Sequence, residues 1–250
     1  MIIYSGCGNA AALQSGTCRR EGRAMTRIAL SQVVERLQTH FGALKPPKLD
    51  GPWEMILWEN VAYLVDDERR QKAFHTLQKR VGTGPAQILS ASDDALLEVT
   101  RHGILAEQFI EKLRKCARIV LEAFDGDARS ILKWPFERAR KAFQKFPGIG
   151  EPGAEKILLF TRTYPVLALE SNGLRVLLRL GFGEEKKSYS TTYRLVQKGV
   201  EDQLHEDYAR LIQTHLLLRR HGQELCKRSK PKCSKCPLGE DCKFFLRGSP

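Results

Sequence analysis

An all-α fold of many short helices is what this sequence predicts, on three observations. Apolar residues recur at steps of three and four through most of the 250-residue chain, which is the spacing of one helix face. No stretch alternates apolar and polar residues as a half-buried strand does, and no long repeat is present. Pro, Gly and Asp clusters interrupt the periodic stretches at short intervals, which suits helices joined by short loops.

The elements follow in order. Leu30, Val33, Val34, Leu37, Phe41 and Leu44 share one helix face, and Lys45-Pro46-Pro47 and Asp50-Gly51-Pro52 then break the chain. Trp53–Asp66 is expected as an apolar helix and Asp67–Val81 as an amphipathic, charged one, with a turn at Gly82–Pro85. Ser92-Asp93-Asp94 can cap a helix running to about Thr100, ended by His102-Gly103. Leu105–Phe124 carries Phe109, Ile110, Leu113, Ala117, Val120 and Leu121 on one face and closes at Asp125-Gly126-Asp127. Pro135–Lys145 and Ala154–Tyr164 are expected as helices flanking a glycine turn. Later helices are expected at Gly173–Leu180, Thr191–Val200 and Glu206–Arg220. Met1–Ala24 lacks helical periodicity and a secretory pattern. It is expected as a disordered extension, with Met25 as the natural start and a cytoplasmic location.

Composition limits the function. The hydrophobic fraction is 42% and the charged fraction 28%, as in a globular protein. No apolar run reaches the roughly 18 residues of a membrane span. The net charge of +12 points to a polyanion partner, most often nucleic acid. Half of that excess lies between Arg219 and Arg247, where nine basic residues face three acidic ones. Four of the seven cysteines lie in the same stretch.

Two motifs carry chemistry. Phe146-Pro147-Gly148-Ile149-Gly150 sits between two helical patterns. Its glycines permit a tight turn, and the amides at the following helix start can hold a phosphate. This is the logic of a helix-hairpin-helix, which grips a nucleic-acid backbone without reading sequence; an ordinary helix–helix turn has the same local signature. The second motif is Cys226-x6-Cys233-x2-Cys236-x5-Cys242. Four thiolates at such spacing can hold a tetrahedral zinc or a [4Fe–4S] cluster, and the wide first gap suits the larger span of a cube. Lysines between them, Lys230 and Lys232 included, can contact phosphate or offset the cluster's charge.

Taken together, the hairpin and the cysteine spacing resemble the endonuclease III branch of the helix-hairpin-helix DNA glycosylases, over most of Met25 to Phe244. The resemblance implies a [4Fe–4S] cluster on Cys226, Cys233, Cys236 and Cys242. It implies two lobes: residues 46–164 as a six-helix barrel ending in the hairpin, and residues 25–45 plus 165–250 as a cluster domain. Duplex DNA with a lesion or mismatch is the implied partner, bound in the cleft by a monomer with one base flipped out. Pro147, Gly148, Ile149 and Gly150 would contact the backbone.

The catalytic positions depart from the family pattern. A lysine two residues after the last hairpin glycine marks the bifunctional members, and here that place is Pro152, which has no amine to form a Schiff base. Lys156, one turn further on, is a substitute on paper, with a solvated helix lysine as the plainer reading. Glu170 stands at the essential aspartate's place in Ala168-Leu169-Glu170-Ser171-Asn172-Gly173-Leu174-Arg175. It retains the carboxylate that stabilises an oxocarbenium charge and can activate water. Otherwise it is an acid near a helix start capped by Ser171 or Asn172. Asn172 is expected among the DNA contacts. Leu64, preceded by Tyr63, stands near the residue that fills the gap left by a flipped base, and Ile104 at a second wedge position. Trp58, Glu59 and Asn60 are candidate base-pocket residues. The expectation is a monofunctional base-excision glycosylase without lyase activity. A catalytically weak DNA-binding paralogue is the alternative, and an iron–sulfur redox sensor on DNA a third reading.

Overall fold

The computed structural model describes residues 27–248; the expected extension at 1–24 lies outside the described residues. Those residues form twelve α-helices and four short 3-10 turns, and no strand is present among them. The helices are α1 Leu30–Phe41, α2 Gly51–Asn60, α3 Asp67–Arg80, α4 Pro85–Ser90, α5 Asp93–Thr100, α6 Ala106–Phe124, α7 Phe136–Phe143, α8 Glu151–Phe160, α9 Ser171–Leu180, α10 Tyr189–Val200, α11 Tyr208–Glu224 and α12 Lys243–Leu246. None is long and apolar enough to cross a membrane.

The apolar faces gather into two bodies. Leu30, Val33 and Leu37 of α1 pack with Leu174, Leu177, Tyr193, Val196, Leu217 and Leu218 from α9, α10 and α11. The first helix is therefore buried against the C-terminal half. The second body is continuous from Met55 to Leu158 and has two cores. One gathers Ile56, Cys116, Val120, Phe143, Phe146 and Ile157; the other gathers Leu57, Phe74, Leu77, Ile88, Leu96 and Leu113. Burial of side chains like these stabilises by about 1.5–3 kcal/mol each.

Several boundaries differ from the sequence expectation. Helix α2 stops at Asn60 rather than Asp66. Val61 and Ala62 are fully buried, so their apolar character serves a loop pressed into the core. Leu64 then adopts a left-handed backbone (φ 53°), and Asp66 caps α3 by accepting from the Arg69 amide at 2.8 Å. Gly82–Pro85, expected as a turn, leads into α4, whose six residues are too few to show a period. A 3-10 turn at Ala128–Lys133 is short for the same reason. Helix α8 begins at Glu151 rather than Ala154, because the fixed φ of Pro152 suits a first helical turn. Helix α11 runs on to Glu224 rather than ending at Arg220.

Candidate nucleic-acid interface and active site

The glycine turn joins α7 to α8 as a hairpin. Phe146 and Ile149 are buried and anchor it, while Gly148 and Gly150 are exposed. Gly148 has φ 78°, and a Cβ there would lie 2.8 Å from Asn60 Oδ1. Asn60 is fully buried. Its Nδ2 donates to the Pro147 and Ile56 carbonyls, each at 3.0 Å. Asn60 thus ties the hairpin to α2 and has no exposed surface to offer a base. Pro152 occupies the first turn of α8, where its missing N–H costs no helical bond. A charged clamp steadies the hairpin from behind. Arg140 of α7 pairs with Glu151 and Glu155 of α8; Ser190 and Arg194 of α10 bond to Glu151, and Tyr193 and Gln197 to Glu155.

An apolar tip projects from the second body. Leu64 is 70% exposed and Ile104 52%. Their loops are joined by the Ile104 amide donating to the Tyr63 carbonyl at 3.2 Å. A Cβ on Gly103 would lie 2.4 Å from the Tyr63 nitrogen, so only glycine permits this approach. The Tyr63 ring stacks on Phe109 at 5.1 Å, which leaves Leu64 and Ile104 as the freer side chains. Leu105 joins them, exposed and with φ 58°. Sequence reading took Leu105 as the first residue of a helix; it is the residue before α6 instead.

Glu170 is itself the N-cap of α9, a place the sequence assigned to Ser171 or Asn172. Its Oε1 accepts from the Asn172 and Gly173 amides, each at 2.9 Å, and its Oε2 from Asn172 Nδ2 at 2.8 Å. Asn172 Oδ1 in turn accepts from Arg175 Nη2 at 2.8 Å. Both ends of the Asn172 amide are therefore committed within the protein. Arg175 also donates to the Cys226 and Gly222 carbonyls at 2.8 Å. A hydrogen-bonded chain thus runs from Glu170 to the start of the cysteine loop.

Between the two bodies lies a cavity of about 330 Å³, walled by Pro46, Pro47, Trp58, Lys156, Phe160, His215 and Arg219. Lys156 is not a solvated helix lysine. Its side chain is 16% exposed and pairs with Glu59, which is 23% exposed. Burial alone would raise the Glu59 carboxyl, but Lys156 and Arg70 outweigh it and hold the group at about 2. Arg219 of α11 meets Asp67 of α3 through two N···O contacts of 2.5 Å, bridging the bodies. His215 bonds through Nδ1 to the Ala168 carbonyl at 2.7 Å. Sequence reading did not single out His215, and it counted Arg219 only within the basic C-terminal stretch. The further signal is a polar pair four residues apart, flanking three leucines of α11.

The four cysteines line a second, largely apolar pocket with Leu180, Leu225, Leu238 and Phe244. All four are free thiols. Arg179 Nη1 donates to Cys226 Sγ at 3.2 Å, and His221 Nε2 lies 3.6 Å from Cys236 Sγ. Among the described residues, no three of His, Cys, Asp and Glu converge closely enough to hold a single metal ion. The donor set is four sulfurs spread around one apolar pocket with a guanidinium donor beside one of them. This chemistry fits a polynuclear thiolate-held group. Lys230 and Lys232 are exposed on the same loop.

No family model matches the chain. It is 23% identical over 196 residues to endonuclease III of Thermotoga maritima, covering 78% of this chain and 84% of that relative. It is 25% identical over 177 residues to endonuclease III of Sulfolobus acidocaldarius, covering 70% and 74%. Its fold is similar to that of a trapped endonuclease III–DNA covalent intermediate, with a TM-score of 0.69 at 19% identity over 88% of this chain and 98% of that one. With the hairpin and the four-cysteine loop, the sequence and fold similarities all run to the endonuclease III-like branch of the helix-hairpin-helix DNA glycosylases.

Proposed function

We propose that the protein is a monofunctional DNA N-glycosylase that binds duplex DNA, extrudes a damaged or mismatched base, and hydrolyses its N-glycosidic bond without a Schiff base. The observation that carries this reading is Glu170: a carboxylate held at the N-cap of α9, in a chain whose hairpin has Pro152 where a nucleophilic lysine would stand. Breaking the glycosidic bond leaves positive charge on the sugar. A carboxylate already oriented by two amides and Asn172 stabilises that charge without reorganising, and it can take a proton from the attacking water. Lys156 does not replace the missing amine, because its ammonium is engaged by Glu59.

The remaining parts serve binding. The exposed Gly148–Gly150 turn and the start of α8 offer amides to phosphate, and Lys230 and Lys232 add charge. Exposed Leu64 and Ile104 supply the apolar wedge that enters a base stack. Cys226, Cys233, Cys236 and Cys242 would hold a [4Fe–4S] cluster, which when bound would cross-link the end of α11 to the C-terminal loop.

A second reading, a DNA-binding protein with little catalysis, is favoured by one observation: both oxygens of Glu170 are taken by the N-terminus of α9. A base-release panel separates the two. Duplexes carrying uracil, hypoxanthine, oxidised pyrimidines, 8-oxoguanine, alkylated purines and mismatches are incubated with the protein, with a parallel borohydride arm. Release of at least one base with no trapped adduct is expected. No release from any duplex supports the second reading, and a trapped adduct rejects the monofunctional one.

A further inference from the structure

The interlobe cavity presents a donor and an acceptor against aromatic walls. The Ala168 carbonyl can only accept, so the 2.7 Å contact places the His215 proton on Nδ1. Burial and the nearby Lys156 charge push this imidazole down to about 3, which keeps the ring neutral. With Nδ1 spent on Ala168, the lone pair of Nε2 is the polar group His215 has left to offer. Lys156 has three N–H bonds, of which Glu59 engages only part. Trp58 and Phe160 add flat apolar surface to the same wall. The charged pairs Lys156–Glu59 and Arg219–Asp67 balance internally, so Lys45 and Lys48 leave the rim positive.

The cavity also adjoins the proposed chemistry. Ala168 lies two residues before Glu170, and the Glu170 charge bears on Arg219. Helix α2, which carries Trp58 and Glu59, is joined to the Tyr63–Leu64 tip by the two buried residues Val61 and Ala62.

We propose that His215 and Lys156 determine specificity by reading the lactam edge of the flipped base, His215 Nε2 accepting from a ring N–H and the Lys156 ammonium donating to the adjacent carbonyl. The substrate class is then a neutral, carbonyl-bearing base. Cationic alkylated purines are repelled by the positive rim, and adenine, which has no carbonyl, leaves the ammonium its weaker partner. This assignment rests on the glycosylase reading for what enters the cavity, but its test does not depend on turnover.

The test measures binding to duplexes whose target nucleoside carries a 2′-fluoroarabino sugar and resists hydrolysis. Bases compared are uracil, hypoxanthine, their ring-N-methylated forms, adenine opposite guanine, and 7-methylguanine. Tighter binding of uracil or hypoxanthine than of undamaged duplex is expected, and methylation of the ring nitrogen should remove about tenfold of that preference, the weight of one hydrogen bond. His215→Phe and Lys156→Met should each erode the preference by a similar factor while affinity for undamaged duplex holds. If either variant fails to fold, the methylated bases still decide the question on the native protein. Equal binding of methylated and unmethylated bases, or a preference for 7-methylguanine or adenine, overturns the proposal. Lactam preference without base release sinks the glycosylase reading alone; base release without lactam preference sinks this one alone.

Discussion

The two ends of α8 hold their surroundings by different means. At its N-terminus, the hairpin is shaped by backbone: a left-handed Gly148, buried Phe146 and Ile149, and Asn60 bonding to the Pro147 carbonyl. Its outward face is amides, which are indifferent to side-chain identity. Further along the same helix, Lys156 and Phe160 line a cavity whose other walls come from the 45–49 linker, α2, α3 and α11. There every function depends on a side chain from a different part of the chain. In the proposed reading, a grip on the DNA backbone is therefore less sensitive to side-chain identity than chemistry and selectivity are.

That contrast can be broken or sharpened by substitution, beginning with the largest effect. Glu170→Gln should keep an oxygen for the α9 amides and lose the charge. Base release is expected to fall by about a hundredfold or more, with duplex affinity changed by less than about threefold. Undiminished release would remove Glu170 from the chemistry.

Gly148→Ala should act on the grip alone. The new Cβ meets Asn60 Oδ1 at 2.8 Å with φ 78°, which costs roughly 1–2 kcal/mol. Binding to damaged and undamaged duplexes should weaken together, by about tenfold in titrations. A change confined to damaged duplex would show that the two ends of α8 are not independent. The smallest effect belongs to the cysteine loop. Lys230→Ala and Lys232→Ala should each flatten the slope of log affinity against log salt by about 0.9, the signature of one phosphate contact. An unchanged slope would take that lysine off the DNA.

The parts readable in advance share one property: their determinants are close in sequence. The hairpin occupies five consecutive residues, the cysteine loop seventeen, and the helix faces of α1 and α6 repeat every three or four. The end of α2 was not readable, because Val61 and Ala62 are apolar whether they continue a helix or line a buried loop. Nor was the N-cap role of Glu170, since Ser171 and Asn172 beside it are equally good caps by type.

The sequence by itself determined an all-helical chain, a glycine turn between two helices, a four-thiol loop and the absence of an amine at position 152. Only the tertiary structure decided that Lys156 meets Glu59 across 97 residues and that His215 meets Ala168 across 47. Turns and helix faces follow from local backbone sterics and period. A buried ion pair or a pinned imidazole exists only where packed helices exclude water and bring distant side chains together.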